Sequence, residues 1–125
     1  MGGLPPNVPE FTVTVRLTVV YPTDAGRFFD FDYYLKQHLP MSAELLGPHG
    51  FVGYTVQRGS TTVRGDMPPH CCITHLDFES LDGLRAGMEA HGSALREDFA
   101  RYTDIAPLAT VCEVLERQAV GPAGR

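Results

Sequence analysis

Apolar and polar side chains alternate through residues 11–19 of the segment FTVTVRLTVVY (11–21). The apolar set is Val13, Val15, Leu17 and Val19, and the polar set is Thr12, Thr14, Arg16 and Thr18. A period of two residues predicts a β-strand with one dry face. Because a dry sheet face must be covered, the chain needs a packing layer of helices or a second sheet against it.

A helix is predicted after this strand. Thr23 or Asp24 is a suitable N-cap for a helix that begins near Ala25. Its apolar stripe recurs at spacings of three and four residues, and consists of Phe28, Phe31, Leu35, His38 and Leu39. Pro40 disfavours helical geometry at the residue before it. We therefore expect the helix to break there and a short further turn to follow over residues 41–46.

The remaining pattern predicts three more strands and one more helix. The strands are FVGYTVQRG (51–59), HCCITHLDF (70–78) and LATVCEVLE (108–116). Ser80 can cap a helix that continues to about Tyr102, with the segment HGS as a candidate interruption. The order βαββαβ is typical of an α+β ferredoxin-like sandwich, a four-stranded antiparallel sheet with two helices on one face. We expect one domain over residues 11–118, between a flexible leader (1–10) and a flexible tail (119–125).

The sheet face turned away from the predicted helices is more apolar than a solvated surface requires. We expect it to carry Thr14, Arg16, Thr18, Gly53, Thr55, Gln57, Ile73, His75, Val111, Glu113 and Leu115. An exposed patch of this kind usually contacts a partner, and two-fold pairing of identical subunits is the commonest assembly. The sequence therefore predicts a homodimer through this face, with Arg16 able to meet Asp77 or Glu113. A merely solvated sheet is the alternative.

Charge and composition argue against several classes of protein. The net charge is −5, from 10 basic and 15 acidic residues, and no long basic run is present, so nucleic acid is not an expected partner. No long apolar span predicts a membrane helix. The cysteines number three, an odd count, and no signal peptide precedes them, which favours a reduced, cytoplasmic protein.

The segment HCCITH raises the question of a metal site. His70 and Cys72 share one face of the predicted strand, whereas His75 lies on the other. No second Cys or His pair follows at zinc-site spacing, so we expect no metal. A glycine-rich loop between a strand and a helix is also missing, because QRGSTTVRGD lies in a predicted hairpin. No cofactor is implied.

His38 is the leading candidate for a functional residue. An imidazole titrates near neutral pH, and on the apolar stripe its ring points toward the sheet, where burial disfavours the charged form. A neutral imidazole in an apolar setting suits a general base acting on an acidic C–H group or a phenol. The structural alternative is a packed histidine that donates to a backbone carbonyl freed by the break at Pro40.

Two other side chains are candidates for the same chemistry. Tyr34 lies four residues before His38 and so on its side of the helix, which makes it a better hydroxyl donor than Tyr33. Asp98 is predicted on the inner side of the second helix, where its carboxylate would orient His38 or act as a second proton-transfer group. Their structural alternatives are the edge of an amphipathic core and a solvated helix acid.

Five segments of the chain carry a family resemblance: VRLTVVYP, FDYYLKQHLPM, GYTVQRG, HLDFESLDGL and DFARYTD. Together they resemble the EthD-type branch of the dimeric α+β barrel proteins, and the resemblance extends over Val15 to Leu115. Its most specific element is the tyrosine-rich helix that ends in His-x-Pro, here Tyr33, Tyr34, His38 and Pro40. The resemblance implies a homodimer of ferredoxin-like subunits, each with a small-molecule cavity between sheet and helices.

Residues expected to line that cavity follow from the predicted faces. Cys72 and Thr74 are small and point toward the helices, which leaves space for a ligand, and Phe31 and Leu35 lie on the helix stripe. Tyr54 points the same way and could stack on a ring-shaped ligand, although core packing is its alternative role. Cys72 could in principle act with His38 as a nucleophile, but no feature of the sequence supports that pairing.

The resemblance and these residues lead to three hypotheses on function. The first is a cofactor-independent enzyme that moves a proton on an apolar cyclic or polyketide-like molecule, in a dehydration, cyclisation, isomerisation or decarboxylation. The second is a cofactor-independent monooxygenase, ranked lower because the chain has no tryptophan, a residue that such oxygenases can use. The third is a binding protein without catalysis, in which His38 is structural.

Overall fold

The computed structural model describes residues 15–121 as a four-stranded antiparallel sheet with helices on one face. In chain order the elements are β1 (Val15–Pro22), α1 (Phe31–Tyr33), a π-helical segment (Tyr34–His38), α2 (Leu39–Leu46), a 3₁₀ turn (Gly47–His49), β2 (Phe51–Arg58), β3 (His70–Phe78), α3 (Leu81–Asp98), a second 3₁₀ turn (Phe99–Arg101) and β4 (Leu108–Glu113). This order confirms the predicted ferredoxin-like α+β fold. The predicted leader, residues 1–10, lies outside the described residues, as do residues 11–14 and 122–125.

The two central strands of the sheet carry the core. The strand order is β2-β3-β1-β4, so that β1 and β3 are flanked on both sides. On β3, alternate side chains are buried beneath the helices, as predicted; they are Cys72, Thr74, Leu76 and Phe78. The intervening side chains face away from the helices. There the guanidinium of Arg16 makes two bonds to Asp77, at 2.6 and 3.1 Å, and Thr18 hydrogen-bonds His75 at 3.0 Å.

The orientation predicted for β4 is wrong. Val111 pairs with Leu17 and Glu113 with Val15, so both lie on the helix side of the sheet, while Cys112 pairs with Arg16 on the open face. Leu115 lies beyond the end of the strand. A short edge strand with apolar residues at both parities cannot reveal its orientation, because the partner strand sets the register.

The first helix begins later than its pattern predicts. Asp30, rather than Thr23 or Asp24, is the N-cap, and its carboxylate accepts the backbone N–H of Tyr33. The segment before it is held in an extended path by tertiary contacts. Thr23 donates its hydroxyl proton to the Pro68 carbonyl at 2.6 Å, and the loop includes Gly26 at φ +87°. Because the Thr23 hydroxyl is hydrogen-bonded to the loop that contains Pro68, it does not cap a helix.

The expected break at Pro40 is also wrong, since the helix continues from Phe31 to Leu46. It does so by widening its turns immediately before the proline: Tyr34–His38 is π-helical, and the backbone N–H of Leu39 donates to the carbonyl of Tyr34. A proline in a regular helix clashes with the carbonyl four residues earlier and removes a hydrogen bond. A wider turn accommodates both effects.

Helix α3 covers the other half of the sheet. Ser80 caps it as predicted, accepting the N–H of Gly83 at 3.0 Å, and the segment HGS does not interrupt it. Leu84 packs in the same core as Leu39, Leu46 and Phe78. Of the helices between residues 15 and 121, none has the length and apolar character needed to cross a membrane.

Candidate active site

A cavity of about 540 Å³ lies beside α3, within the size range of small-molecule sites. Its lining combines apolar groups with a few polar ones: Tyr21, His38, Met88, Gly92, Leu95, Arg96, Phe99, Tyr102, Ala106 and Pro107. It therefore joins the end of β1, the π-helical segment, the last turns of α3 and the loop before β4. His38 reaches this cavity although it is only 8% exposed.

His38 and Asp98 are in direct contact. The imidazole Nδ1 lies 2.9 Å from Asp98 Oδ2, and the hydroxyl of Tyr33 donates to Asp98 Oδ1 at 2.7 Å. Arg101, one turn further along the chain, places its Nε 3.5 Å from the same carboxylate. The four side chains form a network in which the carboxylate bridges the histidine and a tyrosine. The contact between Asp98 and His38 is the one expected from the sequence, and its orienting role stays a prediction.

The charge of Asp98 decides how this network is protonated. Burial raises the pKa of Asp98, but hydrogen bonds from Tyr33 and His38, with the charge of Arg101, outweigh burial and hold it below its usual range. The carboxylate is therefore ionised at neutral pH and can only accept hydrogen bonds. Nδ1 must carry the proton of its bond to Asp98, which leaves the lone pair of a neutral imidazole on Nε2.

Aromatic rings hold the imidazole on two sides. The ring of Tyr34 stacks on it at a centroid distance of 5.5 Å with an angle of 12°, and the ring of Tyr102 lies 4.6 Å away at 48°. The hydroxyl of Tyr34 points elsewhere, to Thr74 at 2.6 Å. Burial raises the pKa of Tyr34, so its phenol stays protonated. Tyr34 therefore offers its ring face to His38, while its hydroxyl lies deep in the core.

The predicted ligand-binding residues are divided between several places. Cys72 and Thr74 are fully buried beneath the rings and do not line the cavity. Phe31 and Leu35 line a separate cleft of about 290 Å³, together with Val56 and Arg58. Tyr54 is on the helix side of β2, as predicted, but it stands at the sheet edge, 40% exposed and stacked on Phe51. The structure thus brings His38 together with Asp98 and with the ring of Tyr34. None of the five predicted ligand-binding residues lines the cavity beside them.

Two tyrosines of the site were not singled out by the sequence, and a third, Tyr33, was ranked below Tyr34. Tyr33 bonds Asp98, and Tyr21 and Tyr102 line the cavity, with their hydroxyl groups 2.8 Å apart. Tyr21 ends a strand and Tyr102 ends a helix, positions that do not by themselves indicate a common site. Only the position of Tyr33 could have been inferred from the sequence. Tyr33 and Tyr34 point to different sides of the helix, so their hydroxyl groups can contact different residues around His38.

Residues 15–121 contain no group of three or more His, Cys, Asp or Glu side chains placed to hold a metal ion. Cys71, Cys72 and Cys112 are free thiols. Burial raises the pKa of the Cys72 thiol to about 11, so it is not a thiolate at neutral pH.

The strand order, the helices on one face and the cavity beneath them define a ferredoxin-like α+β protein. The EthD domain model matches residues 23–106, and the chain belongs to the EthD domain family. It is similar to an EthD-like protein from Ralstonia eutropha JMP134, with 34% identity, a TM-score of 0.77, and coverage of 86% of this chain and 97% of that one. No curated protein sequence matches the chain significantly.

More distant structures share the fold. A monooxygenase of Streptomyces coelicolor, from the gene ActVA-Orf6 and in complex with the ligand nanaomycin D, is 17% identical, with a TM-score of 0.60 over 89% of this chain and 94% of that one. A dimeric ferredoxin-like protein from Thermobifida fusca YX is 14% identical, with a TM-score of 0.50 over 82% of this chain and 92% of that one.

Proposed function

We propose that this chain is an enzyme that removes a proton from an apolar cyclic small molecule without a cofactor, with His38 as the base. The observation that carries the proposal is the placement of the imidazole, which lines the cavity while its Nδ1 is held by Asp98. A base must lie at the ligand and have its reactive nitrogen free. The bond to Asp98 leaves Nε2 as that nitrogen.

The network also stabilises the product of proton transfer. When Nε2 takes a proton, the imidazolium faces the ionised carboxylate of Asp98 at 2.9 Å, and attraction between the two charges favours the step. Tyr33 keeps the carboxylate in place through its hydroxyl. Return of the proton to another carbon would give isomerisation, and attack of the carbanion on a carbonyl carbon of the same ligand, with the proton returned to that oxygen, would give cyclisation. Expulsion of hydroxide, which takes the proton from the imidazolium, would give dehydration. In a decarboxylation, carbon dioxide would leave a carbanion that takes its proton from the imidazolium.

The proposal includes a homodimer formed through the open face of the sheet. Arg16 and Asp77 satisfy each other there, so the face holds a neutralised ion pair rather than free charges. Partly buried Ile73 and the Thr18–His75 pair lie on the same face. A surface of this composition can be covered by a second copy at small electrostatic cost. The dimeric ferredoxin-like protein of Thermobifida fusca is a precedent for assembly with this fold.

The S. coelicolor monooxygenase favours a second candidate function, since that protein shares the fold and holds a small-molecule ligand. In an oxygenase the same base would deprotonate a phenol, and the resulting anion would react with oxygen. Oxygen consumption separates the two functions, because proton-transfer chemistry proceeds unchanged in anaerobic buffer. A binding protein would hold ligands of this class and convert none of them.

The base is tested with 5-nitrobenzisoxazole, an apolar bicyclic compound that opens to a coloured cyanophenolate when its C–H proton is removed. We expect saturable conversion by the wild type, at least tenfold slower in His38→Gln and unchanged in His91→Gln, a histidine outside the cavity lining. The melting temperature of each variant reports whether it folds. Conversion no faster than in imidazole buffer, or conversion that His38→Gln leaves intact, would contradict the proposal.

A further inference from the structure

Two tyrosine hydroxyl groups meet at the same cavity as His38. The Tyr21 and Tyr102 oxygens are 2.8 Å apart, and both side chains belong to the cavity lining. The ring of Tyr102 also contacts the imidazole at 4.6 Å. A ligand beside His38 therefore lies beside these two tyrosines as well.

The hydroxyl pair is held in place by its surroundings. The ring of Phe29 packs edge-on against both tyrosines, at 5.0 Å from Tyr21 and 5.5 Å from Tyr102. The backbone carbonyl of Tyr102 accepts the N–H of Asp30 at 2.7 Å, and Phe29 pairs with Thr103 in an isolated β-bridge. Donors fixed in this way need no reorganisation when charge develops near them.

The pair has one proton to offer. In a bond between two hydroxyl groups, one donates and the other accepts. The Tyr34 hydroxyl is a second hydrogen-bonding neighbour of Tyr21. When Tyr34 donates to Tyr21 and Tyr21 donates to Tyr102, Tyr102 keeps its own O–H for a further partner. Accepting a hydrogen bond polarises that remaining O–H and strengthens it as a donor. Burial raises the pKa of Tyr102 to about 12 and raises that of Tyr21 further. Both groups are therefore protonated at neutral pH.

We propose that the Tyr21–Tyr102 pair binds the carbonyl oxygen of the substrate and stabilises an enolate while His38 takes the adjacent proton. The substrate class is then an apolar cyclic ketone with an acidic C–H beside its carbonyl, which narrows the proposed function on which this inference rests. The proton moves from carbon to Nε2, the C–H electron pair forms a C=C bond, and the carbonyl π electrons move to the oxygen. Return of the proton to carbon restores the ketone.

The test compares two bicyclic probes. The first is 2-tetralone in anaerobic D₂O, where NMR follows the exchange of protons beside the carbonyl; the second is 5-nitrobenzisoxazole, which has no carbonyl group. We expect Tyr21→Phe/Tyr102→Phe to slow tetralone exchange about 100-fold, as for loss of one donor to an oxyanion, and to slow benzisoxazole opening as well, because that reaction also places negative charge on an oxygen. Each single variant keeps one hydroxyl without its polarising partner and should give an intermediate loss.

The outcomes separate this inference from the proposed function. Equal rates of tetralone exchange in the wild type and the double variant would overturn the role of the tyrosine pair, while benzisoxazole opening would still report the base. A loss accompanied by a change in which ring nitrogen of His38 carries the proton, identified by long-range ¹⁵N–¹H NMR, would also overturn it, since the hydroxyl pair would then act on the base rather than on the ligand oxygen. His38→Gln should slow both reactions. No catalysis of either reaction by the wild type would overturn the proposed function itself.

Discussion

Asp98→Asn should remove most of the proposed proton-transfer activity while leaving the shape of the site unchanged. In the wild type the carboxylate accepts from both Tyr33 and Nδ1 of His38. An amide has one accepting oxygen and one donating nitrogen. If the oxygen keeps its bond to Tyr33, the NH₂ group faces Nδ1 and favours the tautomer with the proton on Nε2. The nitrogen that should act as the base then carries a proton.

The expected magnitude follows from this change of tautomer. In hydrolases that hold a histidine with an aspartate, the corresponding amide variant loses about 10⁴-fold in rate. Here the Asp98 side chain is 13% exposed, so solvent can relieve part of the mismatch. We expect a loss of at least about 100-fold in benzisoxazole opening. Stability should fall by about 1–3 kcal/mol, as for loss of a hydrogen bond to a charged group.

The dependence on pH gives an independent check. Because the pKa of Asp98 is lower in the folded protein, its ionised form stabilises the fold above the unfolded value of about 3.9, and this contribution is lost as the pH falls through the folded value. The stability difference between the wild type and Asp98→Asn should therefore be full at pH 7 and shrink at strongly acidic pH. Denaturant titrations at several pH values measure it.

Tyr33→Phe is the matched control, because it removes one bond to the same carboxylate and leaves the tautomer of His38 unchanged. We expect it to slow benzisoxazole opening less than tenfold. Long-range ¹⁵N–¹H NMR identifies which ring nitrogen of His38 carries the proton. The reasoning would be refuted by an Asp98→Asn variant that keeps its proton on Nδ1, or one that retains the wild-type rate.

Three further predictions concern packing, assembly and thiol chemistry. Gly83→Ala should lower the melting temperature, because a Cβ there would collide with the backbone carbonyl of His49. Gly92→Ala should raise the melting temperature, because alanine favours the helix and only the flexible side chain of Arg96 must move. The same change should narrow the cavity. Ile73→Arg on the open face should convert a dimer to a monomer in light scattering, and Val63→Arg in an exposed loop should not; a dimer that survives the first change would exclude this face. Iodoacetamide at pH 8 should leave Cys72 unmodified until the protein unfolds, as mass spectrometry would show, because its thiol is fully buried and has a pKa of about 11.

The fold was predictable because its evidence is local and repeated. Alternation of apolar and polar residues marks most of β1, and the buried side chains of β3 are every second residue of the predicted strand. The contact of His38 with Asp98 was also within reach, since helical spacing placed each on the inner side of its helix. The period of two residues in a strand, or 3.6 in a helix, predicts which face of the element points inward. This information was sufficient to predict both the fold and the contact between His38 and Asp98.

Features that depend on distant partners were not predictable. Thr23 looks like a helix cap until Pro68 is known to accept its hydroxyl proton. The orientation of β4 is set by its pairing with β1 rather than by its own pattern. The hydroxyl bond between Tyr21 and Tyr102 joins residues 81 positions apart. In each case the deciding contact joins residues that are far apart in the sequence. Patterns among neighbouring residues therefore cannot predict it.

The π-helical segment before Pro40 makes chain length a determinant of the site. A π-helical turn contains about one residue more than an α-helical turn. This extra residue fixes the rotation, about the helix axis, of the residues before the turn relative to those after it. Deletion of Lys36, whose side chain points to solvent, would remove the extra residue without removing any contact to the cavity. The preceding residues would turn by about 100° about the helix axis, carrying Tyr33 away from Asp98. Spacing in this helix, as much as side-chain identity, thus determines whether Tyr33 reaches the carboxylate that holds the imidazole.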